Sequence, residues 1–168
     1  MNAWDTRPGT VCECGNHAFA PITRGYVALV SPEDISLFNY KWQADVNART
    51  TRVGVRRTGP RPERAHQHIS RQICYAEPGQ VVDHINRNPL DNQRENLRAC
   101  SHQQNTWNSV GQRRSPLPKG VDKNEGRFRA RIQLGGKYRY IGNFATIEEA
   151  TAAYIAEAKK HRGEYARW

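Results

Sequence analysis

Apolar residues along this chain come in short runs with changing periods, and those periods predict small elements throughout. Gly25 to Val30 (GYVALV) is an apolar, β-branched run that predicts a strand. Behind it, Ser31-Pro32-Glu33-Asp34 supplies an N-cap, a proline at the first helical position and early acids, the opening of a short helix. Tyr40 to Val46 alternates, and Ala48 to Arg57 continues in the same fashion up to a turn at Gly59-Pro60-Arg61-Pro62, so a small antiparallel sheet is expected. Val81 to His84 reads as a strand with a polar end, Asn86 to Asn92 as a turn-rich loop and Arg94 to Cys100 as the return. Ser101 with Gln104 then makes a capping-box pair for a helix that meets no breaker before Gly111.

The tail has its own periodicity. Phe128, Ala130, Ile132 and Leu134 alternate with Arg127, Arg129, Arg131 and Gln133, giving one core face and one cationic face. Gly135-Gly136 makes a hairpin turn, and Lys137 to Ile141 is the return strand. Thr146 with Glu149 caps a helix whose stripe is Ile147, Ala150, Ala153, Tyr154 and Ala158, and Gly163 ends it. The stretch GQRRSPLPK, with two prolines and no apolar period, separates the parts. The expected domains are 1–112 and 119–168, joined by a linker at 113–118.

Composition adds a partner. Lys and Arg outnumber Asp and Glu by 26 to 16, a net charge of +10 with a pI near 9.8, the footprint of a polyanion binder. Residues 1–115 and 116–168 each carry +5, and seven arginines against one acid lie between Arg49 and Arg71. The opening MNAWDTRPGT has no apolar run of spanning or secretory length, so no membrane partner and a cytosolic setting are expected. Four cysteines in a reducing compartment leave free thiols or a metal site. Cys12-x-Cys14-Gly-Asn-His17 has the look of half a structural Zn²⁺ site to be completed by Cys74 or Cys100. Its spacing is irregular for zinc, and ordinary reduced thiols are the simpler reading.

The chemistry concentrates in VVDHINRNPLDNQRENLRACSHQQNTWN. Hydrolysing a phosphodiester at neutral pH needs a base for water and a Lewis acid for the leaving oxygen. His84 offers the first and Asp83 a carboxylate for the second. Strand alternation sends the two to opposite faces, and Asn105 on the following helix can return an amide oxygen towards Asp83. Oxygen donors with open positions suit a single Mg²⁺ or Mn²⁺. Asn86, Asn88, Asp91 and Asn92 are read as turn-shaping side chains.

Asp83-His84, the Asn-rich loop, Glu95-Asn96-Leu97-Arg98 and Asn105 resemble the HNH motif of phage and intron-encoded endonucleases, in the variant that ends in asparagine. The resemblance spans about residues 20 to 112, with a catalytic core from about 66. It implies metal ligation by Asp83 and Asn105, general base catalysis by His84 and an orienting hydrogen bond to that imidazole from Asn96. It also implies a phosphate contact by Arg71, although Ser70-Arg71 stands where a His-Arg pair is common. The order KGV, RFRARI, YIGNF and EEATAAY, over 119 to about 166, is similar to the plant ethylene-response-factor (APETALA-type) DNA-binding domain. That resemblance implies a three-stranded sheet in the major groove of double-stranded DNA. Arg127, Arg129, Arg131, Tyr138 and Tyr140 would make the contacts, with Lys137 and Arg139 counted beside them.

The fold expected is therefore α+β: a small antiparallel sheet leading into a ββα-metal unit, then a three-stranded antiparallel sheet packed on one helix. The function expected is a metal-dependent, homing-type DNA endonuclease of a phage or mobile element. Nicking and double-strand cleavage, and monomer and dimer, stand open. A catalytically inactive DNA-binding or regulatory protein is the alternative.

Overall fold

The computed structural model describes residues 9–47, 52–58, 66–109 and 116–168. The turn expected at Gly59 to Pro62, the approach to Gly111 and residues 113–115 of the expected linker lie outside them. The fold is mixed α+β, with several small sheets and few helices, and it divides into two compact units, Met1–Ser101 and His102–Trp168.

In the first unit, β1 (Thr10–Val11) and β2 (Ala18–Pro21) form a hairpin, and β2 pairs antiparallel with β3 (Val27–Val30). Ala18, Ala20, Ala28 and Val30 are fully buried, so the inward face of this sheet is built from small side chains. The hairpin turn is closed by Cys12 N donating to His17 O (2.9 Å) and Gly15 N to Cys12 O (2.8 Å), with Gly15 at φ +74°, a region open to glycine at little cost. The Asn16 amide, then the neighbouring Cys12 side chain, hold the Cys14 thiol below its ordinary value.

The helix expected after Ser31 is a 3₁₀ segment, Pro32–Asn39. Its capping signal is used elsewhere: Ser31 Oγ accepts from the Arg94 amide at 2.9 Å, and the buried Asp34 takes two hydrogen bonds from the Arg94 guanidinium at 2.8 and 2.6 Å. The expected second sheet is present as β4 (Gln43–Val46), β5 (Val53–Thr58) and β6 (His66–His68), with Ala44, Val53 and Val55 inward. A six-residue helix that the sequence does not announce, α1 (Ile69–Cys74), buries Ile69 and Ile73 one turn apart. Then come β7 (Val81–His84), β8 (Asp91–Asn92) and β9 (Leu97–Cys100). β7 and β9 pair antiparallel, with Asp83 opposite Arg98 and His84 opposite Leu97. β8 joins the first sheet beside β3 in parallel, Leu29 against Asp91 and Val30 against Asn92.

The second unit opens with α2 (His102–Asn108), so the helix expected inside the nuclease domain groups with the C-terminal part of the chain. Lys119 Nζ donates to the Trp107 and Ser109 carbonyls at 2.8 and 2.6 Å, and Arg167 Nε to Asn108 Oδ1 at 3.3 Å. β10 (Val121–Asn124), β11 (Arg127–Leu134) and β12 (Lys137–Phe144) form an antiparallel sheet packed on α3 (Ile147–Arg162). Val121, Ala130, Ile132, Ala150, Tyr154 and Ala158 are its core. Thr146 and Glu149 form the predicted capping box, and Gly163 closes α3. Gly120 lies at φ +78°, where a Cβ would collide with the Tyr154 ring, so this strand entry requires glycine. The buried Arg162 donates to Tyr154 Oη (2.9 Å) and the Gln133 carbonyl (3.1 Å) and lies over the Trp107 ring. Among the described residues no helix is long and apolar enough to cross a membrane.

Candidate functional site

His84, at the end of β7, is half-buried and lines a cleft of about 280 Å³ with Val55, His68, Arg71, Val82 and Asn92. Burial pushes its pKa below the ordinary 6.5, against a counter-pull from Asn92 and, more weakly, from Asp83 and Asp91. An imidazole in that state is neutral at neutral pH and can accept a proton. Asn92 also fixes which nitrogen does so. Its Nδ2 donates to the Pro89 carbonyl at 3.1 Å, which aims Oδ1 at His84 Nε2, 3.2 Å away. Nε2–H is the donor there, so the lone pair of the neutral ring sits on Nδ1.

The orienting bond expected from Asn96 is supplied by Asn92 instead. Asn96 is buried and holds the loop: its Oδ1 accepts from the Asn86 amide (2.9 Å), and its Nδ2 donates to Asn86 Oδ1 (3.1 Å) and the Asp91 carbonyl (2.8 Å). The other short polar side chains do shape the turn. Asn86 accepts from the Asn88 amide, Asn88 from the Leu90 amide, and Asp91 from Asn86 Nδ2 at 2.6 Å. Asn92 stands apart from these neighbours only in the folded chain, because its strand pairing with Val30 turns it towards β7.

Asp83 is buried, and its Oδ2 accepts from Arg98 Nε (3.0 Å) and Nη2 (2.8 Å). A buried carboxylate without a counter-charge would cost several kcal/mol, roughly 3–5 if its partner were removed, and the Arg98 guanidinium offsets that cost for Asp83. Sequence reasoning gives Arg98 no role, yet the signal is present: closing the 81–84 and 97–100 strands as a hairpin sets the two residues opposite one another. The Asp83 carboxylate is the kind of oxygen donor a hard divalent ion takes, and Arg98 shares it. Asn105, the second expected ligand, is exposed on α2 in the second unit.

Arg71 reaches the cleft wall, but its guanidinium donates to the Gln80 (2.6 Å), Ala76 (3.0 Å) and Glu77 (3.2 Å) carbonyls, which makes it a clamp on the 75–80 loop. Cys12, Cys14 and His17 lie together in the β1–β2 turn. Neither Cys74 nor Cys100, the two candidates to complete a zinc site, is part of that group, and none of the four cysteines forms a disulfide.

In the second unit the sheet register sorts the expected contact residues. Asp122 opposes Arg129, Arg131 opposes Tyr140 and Gln133 opposes Tyr138, so these share the outer face with Arg127. Ile132 opposes Arg139 and Leu134 opposes Lys137, which puts Lys137 and Arg139 on the helix side. Arg139 there approaches Glu157 of α3 at 3.8 Å. Tyr138 and Tyr140 are well exposed, with the Arg131 guanidinium 4.6 Å from the centre of the Tyr138 ring. Asp122, a residue outside the expected set, pairs with both Arg129 and Arg131 at 2.8 Å.

Residues 63–106 match the family model described as HNH endonuclease, and this stretch holds Asp83, His84, Asn92, Asn96 and Asn105. This stretch of the chain is thus similar to HNH endonuclease domains. The chain is 37% identical over 86 residues to an uncharacterized HNH endonuclease of Acanthamoeba polyphaga mimivirus, an alignment covering 51% of this chain and 44% of the viral one. The chain therefore spans less than half the length of that relative. No solved structure matches it.

Proposed function

We propose that this protein hydrolyses phosphodiester bonds in double-stranded DNA, with His84 as general base and a single Mg²⁺ or Mn²⁺ as cofactor. The observation that carries the reading is the neutral His84 imidazole, fixed by Asn92 with its lone pair on Nδ1, one residue from a buried carboxylate. In this reading Nδ1 takes a proton from the attacking water while the cleft wall excludes bulk solvent on one side. Asp83 is the cation ligand the first unit supplies, and Asn105 is the donor that the family resemblance adds from the second. The bound cation supplies charge stabilisation to the leaving oxygen. The outer face of β10–β12, with Arg127, Arg129, Arg131, Tyr138 and Tyr140, holds the duplex through phosphate and groove contacts. The viral relative supports a nuclease, and the resemblance to phage and intron-encoded endonucleases is what assigns it a homing-type role in a phage or mobile element.

The Arg98 pairing favours one second reading. A carboxylate satisfied by a guanidinium can forgo a cation, which would leave a DNA-binding protein without cleavage. Supercoiled plasmid separates the two. Cleavage to nicked or linear product with Mg²⁺ or Mn²⁺ should stop in EDTA, and His84→Ala should cut roughly 10²–10⁴-fold more slowly at unchanged DNA affinity. Retention of DNA with no cutting under either cation would establish the second reading, and cutting by His84→Ala at the parent rate would remove His84 as base.

A further inference from the structure

The turn between β1 and β2 gathers three soft donors at the molecular surface. The donor atoms of Cys12, Cys14 and His17 all lie within 4.8 Å of one another, and Cys14 Sγ is 3.5 Å from His17 Nδ1. A tetrahedral zinc ion with Zn–S near 2.3 Å and Zn–N near 2.05 Å holds its sulfur and nitrogen about 3.6 Å apart. The Cys14–His17 spacing is thus already that of a chelate, and the Cys12 thiol lies within 4.8 Å of both. It follows from the backbone: the Cys12–His17 and Gly15–Cys12 hydrogen bonds and the left-handed Gly15 fold six residues back on themselves. The imidazole is also steadied, because its ring stands edge-on to Phe19 at 4.9 Å. Two sulfurs and a nitrogen suit zinc and are poor ligands for magnesium.

We propose that Cys12, Cys14 and His17 bind one Zn²⁺, in a site separate from the nuclease cation. Among the described residues no fourth His, Cys, Asp or Glu joins the group, so they supply three of the ion's ligands. Binding here staples the β1–β2 hairpin. That hairpin is one edge of the sheet β1-β2-β3-β8, and the opposite edge carries Asn92. The ion therefore steadies the sheet on which the partner of His84 is mounted. It takes no part in proton transfer.

The test uses the full chain, reduced, stripped of metal and titrated with Co²⁺. The expected result is one equivalent bound with thiolate-to-cobalt charge-transfer absorption and the intense visible bands of a tetrahedral ion, both displaced by Zn²⁺ but not by excess Mg²⁺. A hard-oxygen nuclease site gives no thiolate bands, so this outcome is independent of whether the chain cuts DNA. The double variant Cys12→Ser/Cys14→Ser should lose the bands, and Cys74→Ser and Cys100→Ser should keep them. In the unmutated chain Zn²⁺ should slow alkylation of two of the four thiols at least tenfold, with EDTA restoring the rate, a readout that needs no variant. Absence of thiolate bands, their survival in the double variant, or unprotected thiols at saturating Zn²⁺ would overturn the proposal.

Discussion

His84 owes its state to opposed effects of unequal size: burial drives protons off the ring, and the Asn92 oxygen returns part of what burial takes. On the function proposed above Asn92 is therefore a positioning residue, setting the tautomer and ring orientation of His84. Asn92→Ala should lower the single-turnover cleavage rate at saturating DNA by about 10–100-fold, the usual loss when an orienting partner is removed, with little change in KM. A rate equal to that of the parent would reduce the contact to loop packing. At this scale the sequence exposes Asp83 and His84, since an Asp-His strand end before an Asn-rich loop has few other readings once Asn96 and Asn105 follow. It cannot single out Asn92 from Asn86, Asn88 and Asp91. All four offer the same chemistry within seven residues, and only strand pairing decides which faces the imidazole.

Among elements, the C-terminal hairpin is the most legible, because alternation over eight residues, a Gly-Gly turn and a capping box all agree. Register refines that reading: Lys137 and Arg139 share the period of the return strand but fall on the helix side, whereas Asp122 intrudes on the cationic face. One carboxylate there occupies two arginines. Asp122→Asn should free Arg129 and Arg131 for phosphates, raising DNA affinity several-fold. It should also steepen the dependence of log affinity on log salt by about 0.9 for each phosphate newly engaged. Binding titrations at several salt concentrations read this directly, and an unchanged slope would mean the two arginines do not reach DNA. β1, β8 and α1, of two, two and six residues, escape sequence reading because they show no period of their own. They exist through their neighbours.

For the whole molecule, the division at residue 101 means that cutting the chain by sequence motif and cutting it by structure give different fragments. A chain ending near Ser115 keeps every residue of the HNH resemblance but loses the partners of α2, among them Lys119, Arg162 and Arg167. We expect such a fragment to cut poorly even where its DNA is saturated, and full cleavage by it in a plasmid assay would show that α2 needs none of them. The first unit is tied across an equally long stretch. Val30 pairs with Asn92, the Ser31 hydroxyl meets the Arg94 amide and Asp34 grips the Arg94 side chain, pairings separated by about 60 residues of chain. Closing a loop of that length costs roughly 4 kcal/mol of entropy before any of these interactions offsets it. Folding of this unit is then governed by a late encounter between its ends, as in other topologies of high contact order. On the ribosome, the leading sixty residues must wait for the loop to emerge. Until then β3 lacks its partner Asn92 and, on the function proposed above, His84 lacks the contact that fixes its tautomer, so a nascent chain that has not passed residue 94 would be inert towards DNA.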